Sequence, residues 1–374
     1  MKLILNNKIQ NLLLASVAAT LLSACGGSAS SYNNSYNSAS GEEVELGVDN
    51  PICLHGNATQ EGKIIDSNTN QGIANVNVEV SGCTVMTDEN GYYKLSNIQS
   101  EKRTSINFEK EGYSNNSSII TVDNDTSNYL EASLDKNLFT WSYESEEGSK
   151  GKNLEIGSDV QYMSNDGSRY TGKINLSYTS KDTTTDQGRD SFPGTFQGLE
   201  SNGVIVSFVS YKYMVLKLTD DKGDILNILE PVTLNVYNIQ GTKDLEIPLW
   251  YYNEDKGIWI EKGIAQRNED GNYVCEITHT GTWSISKPVE SAMGLYKGKI
   301  VDENENPMHN VRIKAKGKNW VSEDLTTDEN GEFEVLVVPN QKFTLSAYNY
   351  EEKFGAEFTD ALNGISTGDT VVED

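Results

Sequence analysis

One segment pattern occurs twice in the chain, and this internal repeat constrains the fold more than any other feature of the sequence. Each copy has an alternating segment that ends in an aspartate, a second alternating segment, and a third that begins at the tetrapeptide Asp-Glu-Asn-Gly. The matching stretches are residues 62–66 and 298–302, 75–78 and 310–313, and 87–95 and 327–335. Alternation of apolar and polar residues with a period of two predicts strands that bury one face. The repeat therefore predicts two small antiparallel β-sandwiches.

The alternation also predicts which side chains face each core. Val76, Val78 and Val80 alternate with Asn77 and Glu79, so the three valines are expected to point inward. In the third segment of each copy the expected inward residues are Tyr93 and Leu95, and Phe333 and Val335.

Five Asn-Gly or Asp-Gly pairs separate the predicted strands, at residues 90–91, 166–167, 202–203, 270–271 and 330–331. Tight hairpin turns need a positive φ, which glycine adopts without a steric penalty. Between the two copies, further short alternating segments predict strands at residues 173–180, 204–210, 214–219, 232–239, 246–252, 257–261 and 273–279.

Residues 55–135 and 294–371 resemble the carboxypeptidase regulatory-like domain, through the Gly-x-Ile-x-Asp opening, the valine-rich second strand and the Thr-Asp-x-x-Gly-x-Phe/Tyr type of turn. The resemblance implies a prealbumin-like sandwich of the carbohydrate-binding-like fold class, without peptidase chemistry of its own, as found in surface proteins, transporters and adhesins. The intervening segment resembles the middle domain of cartilage intermediate layer proteins at residues 192–196, 249–254, 257–259 and 279–283. Gly281 departs from that pattern, where a polar or aromatic residue is usual.

The first residues of the chain have the pattern of an export signal. Lys2 and Lys8 precede an apolar stretch over residues 12–22, which is too short to span a bilayer. The run Leu-Ser-Ala-Cys that ends at Cys25 resembles the bacterial lipobox, which implies lipidation of Cys25 and removal of residues 1–24. An ordinary signal peptide with a chance cysteine is the alternative. Gly26, in place of an aspartate, favours the outer membrane in a Gram-negative cell.

These features together predict an all-β protein of tandem β-sandwich modules behind a signal peptide and a flexible tether. The tether, residues 25–50, is rich in Gly, Ser and Asn and has no face that could be buried. The predicted modules are residues 51–137, 138–289 and 290–374.

The net charge and the motif content of the sequence narrow the range of functions to consider. The formal net charge of −25, from 55 acidic and 30 basic residues, argues against binding to nucleic acid. The three histidines, His55, His279 and His309, fall in different predicted modules, and no hydrolase, zinc or phosphate-loop motif is present. We therefore expect a protein that is not an enzyme, with no cofactor beyond the lipid on Cys25. His279 lies on the resemblance to the middle domain, and a structural role that closes a strand end above Trp283 is the favoured interpretation.

Cys53 and Cys83 flank the first strands of one small module, and an exported protein meets an oxidising compartment. We therefore predict that they form a disulfide and that Cys275 is a buried free thiol, although sequence alone leaves other pairings open.

Two groups of residues are candidates for ligand binding. The aromatic residues Trp250, Tyr251, Tyr252 and Trp259 would stack on sugar rings if exposed, although core packing of alternate members is the competing interpretation. The acidic turn residues Asp88, Glu89, Asp328 and Glu329 have the oxygen ligands that calcium prefers.

The leading functional hypothesis is a membrane-anchored, non-catalytic interaction or structural lipoprotein of the cell envelope, on either side of the outer membrane. Its partners would be the membrane, through the lipid, and a glycan or another envelope or extracellular protein. Weak glycan binding on an aromatic sheet face is the alternative, and a hydrolase or protease regulator has the least support.

Overall fold

The computed structural model describes residues 2–4, 56–99, 101–122, 127–150, 154–290, 293–323, 325–349, 354–362 and 370–371. The protein is all-β, with multiple sheets that form several β-sandwich modules, as the sequence predicts. Among the described residues, no helix is long and apolar enough to cross a membrane. Strand β1, Lys2–Ile4, lies in the predicted signal peptide, and the rest of that segment and the tether fall outside the described residues.

The first module consists of two facing sheets. Its strands are β2 Ala58–Asp66, β3 Asn77–Val80, β4 Cys83–Met86, β5 Tyr92–Ile98, β6 Glu101–Glu109, β7 Asn116–Val122 and β8 Ser127–Leu134. One sheet has the order β5-β2-β8 and the other β4-β3-β6-β7, with β2 and β8 parallel and the other neighbours antiparallel. Val76, Val78 and Val80 are fully buried between the sheets, which confirms the predicted inward face.

The middle module is larger. Its elements are β9 Phe139–Glu144, β10 Ser149–Lys150, β11 Leu154–Ile156, β12 Tyr162–Ser164, β13 Arg169–Tyr170, β14 Lys173–Asp182, α1 Asp186–Asp190, β15 Gln197–Leu199, β16 Ile205–Thr219, β17 Leu226–Ile228, β18 Val232–Val236, β19 Glu246–Asn253, β20 Ile258–Arg267, β21 Tyr273–Ile277 and β22 Gly281–Pro288. Eleven strands form one sheet in the order β10-β11-β18-β21-β20-β19-β22-β16-β14-β9, with β15 beside β16 and β20. Strands β13, β12 and β17 form a second sheet.

The two strands predicted at residues 204–210 and 214–219 are one continuous strand, β16, so the predicted break is wrong. The register against β22 shifts between Ser210 and Lys212, which marks a bulge that holds one extra residue. Residues 208–216 of this strand are all buried, so period-two alternation, the signal used to find strands, is absent there.

The third module repeats the pairing of the first. Its strands are β23 Gly294–Val301, β24 Arg312–Lys316, β25 Leu325–Thr326, β26 Glu332–Val337, β27 Phe343–Asn349, β28 Phe354–Leu362 and β29 Thr370–Val371. Like β2, β23 pairs with one antiparallel strand, β26, and one parallel strand, β29, while β25-β24-β27-β28 form the facing sheet. The free part of the β23 edge pairs with β1, which places Lys2 opposite Val301. The internal repeat of the sequence is thus a repeat of topology.

All five predicted glycine turns are present, with φ between +75° and +86° at Gly91, Gly167, Gly203, Gly271 and Gly331. At Gly91 a Cβ would lie 2.4 Å from the carbonyl oxygen of Ile64, so the turn needs glycine for space as well as for φ.

Candidate functional site: the cleft between the first and middle modules

Three members of the predicted aromatic ligand site are core residues. Trp250, Tyr252 and Trp259 are at most 1 % exposed. The Trp250 indole donates to the carbonyl oxygen of Ser286 at 2.8 Å, and the Trp259 indole donates to that of Pro193 at 3.1 Å. Their prediction as sugar-stacking residues is wrong, because the face of β19 that carries Trp250 and Tyr252 packs inside the module. Period-two alternation separates the faces of a strand but does not say which face is covered.

Tyr251 is the member of the row that points the other way, as alternation predicts, and its side chain is half-buried. Its ring packs edge-on against His279 at a centroid distance of 4.1 Å and lies 5.2 Å from Trp283. Burial and the carboxylates of Glu254 and Asp255 raise the pKa of Tyr251, so it stays a neutral hydroxyl at physiological pH.

Gly281 is required by this arrangement. Its φ is +117°, and a Cβ there would lie 3.0 Å from Cε2 of Tyr251. Gly281, where the middle-domain pattern usually has a polar or aromatic residue, therefore makes room for the Tyr251 ring.

His279 has the expected structural role at a strand end. Its Nδ1 is 2.7 Å from the Thr278 hydroxyl, and its carbonyl oxygen accepts from the Trp283 indole at 3.1 Å. Burial and the nearby Lys262 lower the pKa of the His279 imidazole. The neutral ring therefore supports Tyr251 from behind.

Tyr251 forms part of one wall of a cleft of about 260 Å³ between the first and middle modules. The first module contributes the segment from Tyr113 to Asn115 and the side chain of Asn137. The middle module contributes residues from β14, β16, β17, β19 and β22, Asn253 among them, and the carboxylates of Glu254 and Asp255 from the turn after β19. A concave site with a few convergent polar groups beside an aromatic ring is the usual form of a small-molecule site.

Asn115 has an unused hydrogen-bonding group at this cleft. Its side-chain oxygen Oδ1 is buried and accepts no hydrogen bond. Buried polar atoms in folded proteins nearly always have a partner, so this oxygen is an unsatisfied acceptor beneath the surface of the cleft residue.

The electrostatics of the cleft are acidic. Lys217 forms an ion pair with Glu109 at 2.8 Å, and the exposed carboxylates of Glu254 and Asp255 stand nearby. Surrounding protein atoms, Glu109 and Asp255 raise the pKa of Glu254, against the opposing effect of Lys217. The excess of negative charge disfavours an anionic ligand.

A buried carboxylate fixes the two walls of the cleft relative to each other. Asp135 at the end of the first module accepts from the Tyr213 hydroxyl at 2.7 Å and from Lys181 Nζ at 2.8 Å, and also from the Ser67 hydroxyl. The Ser117 hydroxyl donates to the Tyr252 hydroxyl at 2.7 Å across the same junction. These hydrogen bonds are protected from water, so the cleft has a defined shape.

The predicted calcium residues form turns. Asp88 Oδ1 accepts from the backbone N–H groups of Asn90 and Tyr92, both at 2.8 Å. Asp328 accepts in the same way from Asn330 and Glu332, at 2.9 and 2.8 Å. The partners Glu89 and Glu329 are exposed. Within the described ranges, no three His, Cys, Asp or Glu side chains gather closely enough to hold a metal ion. These aspartates thus have a sufficient role as caps of the Asp-Glu-Asn-Gly turns.

Of the four cysteines, Cys25 belongs to the predicted tether, Cys53 and Cys83 to the predicted first module and Cys275 to the middle module. Cys83 is disulfide-bonded, and its partner lies outside the described residues, as do both Cys25 and Cys53. The Cys53–Cys83 pairing and the lipidation of Cys25 stay predictions. Cys275 is a buried free thiol, as expected, and burial raises its pKa to about 12.

Sequence analysis missed the residues that shape the cleft. Asn115, Asp135 and Glu254 stand in unremarkable polar stretches. Their roles arise from the docking of segments more than 75 residues apart, such as Asp135 and Tyr213, for which the sequence has no local signal.

Comparisons with solved structures give distant similarities. The Bacillus anthracis TIE protein is 14% identical over 84% of this chain, which spans only 49% of that protein, with a TM-score of 0.20. BcpA, the major pilin subunit of Bacillus cereus, is 11% identical over 84% of this chain and 97% of its own length, with a TM-score of 0.16. A proposed carbohydrate-binding protein of Bacteroides uniformis is 10% identical over 60% of this chain and 99% of its own, with a TM-score of 0.19.

No curated protein matches the chain significantly. Among protein families, residues 60–140 match the CarboxypepD_reg-like domain, which agrees with the resemblance of the first repeat copy.

Proposed function

We propose that this protein is a lipid-anchored, non-catalytic lipoprotein of the bacterial cell envelope that holds three docked β-sandwich modules as one rigid interaction surface. The observation that carries the proposal is the buried clamp at Asp135, which joins the first module to the middle one through Tyr213 and Lys181. A clamp of this kind costs desolvation energy and is useful where relative orientation matters.

The third module also contacts the first and middle modules. Arg312 of the third module donates to the carbonyl oxygen of Tyr129 in the first, at 3.1 Å. Lys316 of the third module forms an ion pair with Asp190 of the middle one at 2.8 Å. The three modules thus meet one another directly, which favours a role in presentation or architecture over one that needs free movement of domains.

The environment of the histidines supports a non-catalytic role. The His279 ring is packed against Tyr251 and Trp283. His309 belongs to the third module, and His55 lies outside the described residues. The Nδ1 atom of His279 is already hydrogen-bonded to the adjacent Thr278 hydroxyl at 2.7 Å, so this nitrogen is engaged within the protein.

The anchor is tested by the Cys25→Ala variant, with Cys275→Ala as the matched control. Replacing Cys25 is expected to abolish acyl labelling and to move the protein from the membrane fraction to the soluble fraction, because two or more acyl chains are needed for stable anchoring. Cys275→Ala should fractionate like the wild type. Unchanged acyl labelling and membrane retention of Cys25→Ala would contradict the proposal.

Glycan binding is the second candidate function, and Tyr251 favours it. This ring is half-buried, lines the cleft and is held by His279 and Trp283, so it offers a fixed apolar surface at a polar site.

A further inference from the structure

We infer that two copies of the mature protein pair through the edge of β23 at Lys299–Val301, antiparallel and about a two-fold axis at Ile300. The inference rests on the proposed function, because removal of residues 1–24 from a lipoprotein takes β1 away from this edge, and the lipid keeps the copies on one membrane surface. The second copy then occupies the place of β1.

The backbone of β23 presents hydrogen-bonding groups at this edge. Ile300 donates to the carbonyl oxygen of Gly331 at 2.9 Å and accepts from the N–H of Met308 at 3.0 Å, so its backbone groups are used inside the third module. Successive residues of a strand direct these groups to opposite sides, so those of Lys299 and Val301 point the other way, toward β1. A strand edge of this kind is a template for pairing with another chain.

The two repeat copies differ at this edge. In the first module, β8 runs along β2 from Thr59 to Asp66. In the third module, over the part of the chain that the structure describes, the equivalent strand β29 pairs only with Leu295 and Tyr296. Removal of β1 therefore opens an edge in the third module that the first module covers with a strand of its own.

The sequence of β1 indicates which strand fits this edge. Lys2–Ile4 lies antiparallel to Lys299–Val301, with Leu3 opposite Ile300. A second β23 centred on the same residue would place the sequence Lys-Ile-Val where β1 has Lys-Leu-Ile. The lysine and the two aliphatic side chains then fall at the same three positions in the same order. This match is the observation that identifies a second copy of the chain as the occupant.

The pairing is self-complementary. A two-fold axis makes each contact twice, so Lys299 of each copy lies opposite Val301 of the other and the two lysines are not directly opposed. Glu332 lies opposite Lys299 on β26 and offsets its charge. Each opposed pair exchanges two backbone hydrogen bonds, about four in all. So short an edge gives weak association, with a Kd of about 1 mM, and confinement of anchored copies to one membrane raises their effective concentration toward that value.

The test uses the processed lipoprotein, purified from membranes and reconstituted in phosphatidylcholine vesicles. Copies of natural isotope abundance are mixed with copies labelled with heavy nitrogen and treated with an amine-specific cross-linker. Mass spectrometry then identifies links between a light and a heavy copy. We expect the Lys299–Lys299 link to dominate, because the paired lysines are diagonal neighbours about 7–8 Å apart. Lys63, the repeat counterpart of Lys299, is the internal control, because β8 covers its edge.

Two interventions assign the link to the β23 edge. Val301→Pro removes the N–H that donates to the second copy and is expected to lower the yield of the link about tenfold. Val301→Ala is the matched control, because it also shortens the side chain but keeps the N–H. Proline is tolerated where a strand N–H faces outward, and circular dichroism and thermal unfolding check the fold of both variants. A synthetic peptide of residues 1–5, added to the wild type, should compete for the same edge and needs no variant to fold.

The same cross-linking in solution at about 1 mM protein tests the pairing whether or not the chain is acylated. The inference is overturned if the Lys299–Lys299 link forms neither on vesicles nor in solution, or if the peptide leaves its yield unchanged. It also fails if folded Val301→Pro gives the yield of Val301→Ala, or if Lys63 links between copies as often as Lys299, which indicates random collision. None of these results affects the anchoring proposal, which the fractionation of Cys25→Ala tests separately.

Discussion

The two copies of the repeat share a topology but dock onto the middle module in different ways. The first module has a hydrophobic core of its own, and its junction with the middle module is made by polar side chains around Asp135 and Ser117. The buried apolar side chains of the third module instead form one continuous cluster with those of the middle module. Trp320 and Phe208 line the same small cavity at that junction.

The difference shows that repeat copies with the same internal fold can have unlike outer surfaces. The first copy is joined by directional hydrogen bonds, which fix an angle and leave a polar cleft. The third copy is joined by apolar packing, which is non-directional and makes two modules one unit of stability. The distinction predicts separate unfolding of the first module and joint unfolding of the other two.

The largest effect is expected from Trp320→Ala. Trp320 is 2 % exposed and packs on Phe343 at a centroid distance of 6.1 Å, so the cavity left behind should lower the free energy of unfolding by about 3–5 kcal/mol. Because the core is continuous, the middle and third modules should lose stability together. Differential scanning calorimetry combined with tryptophan fluorescence measures this, since all five tryptophans lie beyond residue 137.

The matched control for that prediction is Phe108→Ala, which removes a ring that is 1 % exposed from the core of the first module. It should lower the transition of the first module and leave the fluorescence transition in place. A single transition that shifts in both variants would break the comparison, because the first module would then belong to the same cooperative unit.

Reduction of the disulfide at Cys83 should act on the first module alone. If its partner is Cys53, opening the loop should lower the stability of that module by about 3–4 kcal/mol in the chain-entropy model. Calorimetry with and without reductant measures the shift, and a non-reducing peptide map identifies the partner. A map that links Cys83 to Cys25, or a reductant effect on the fluorescence transition, would contradict this assignment.

Asp135→Asn tests the polar junction. Lys181 is 15% exposed, and the loss of its carboxylate partner should weaken the docking of the first module by about 2 kcal/mol without unfolding its core. Faster hydrogen exchange in β7 and β19, with unchanged exchange in β3, is the expected signature. The control is Asp244→Asn, whose ion pair with Lys287 is 42% exposed on both sides and should contribute less than about 1 kcal/mol. Equal exchange in both variants would show that the clamp does not hold the junction.

The smallest expected effect is a pH dependence in the free energy of unfolding of the joined middle and third modules. Burial and Lys262 lower the pKa of His279 in the folded state, so below the unfolded value of about 6.5 the unfolded chain binds a proton that the folded chain does not. The stability contributed by the neutral ring is thus present above about pH 6.5 and is lost as pH falls through the lower folded value. Denaturation at several pH values should show a steeper acid loss in the wild type than in His279→Gln. Identical slopes would refute this role.

Sequence reasoning recovered the parts of this molecule that depend on local pattern. The repeat, the inward valines at residues 76, 78 and 80 and the five glycine turns follow from alternation and from the φ that a tight turn demands. It failed at β16, where burial of both faces removes the alternation around Tyr211.

The cleft could not be predicted from the sequence, for a different reason. Alternation placed Tyr251 opposite Trp250, but which of them meets solvent depends on how the sheet packs, which is a property of the whole module. The clamp at Asp135 depends on the docking of two modules, because its partner Tyr213 belongs to the middle one. No local sequence pattern connects a turn of the first module to a strand of the middle module.

The parallel pairing of β2 with β8 determines how the protein bears a mechanical load. The predicted tether precedes β2 in the sequence, and the chain leaves the first module after β8 toward the middle module. A pull between the membrane and a ligand held farther along the chain would draw these two strands past each other along their length. The backbone pairs from Thr59 with Ser127 to Asp66 with Leu134 would then have to break together, and not one at a time as in a strand peeled from its end. An anchored copy held in flowing medium would resist extension at this pair of strands, and its lifetime under tension would be set by the rate of that shearing step.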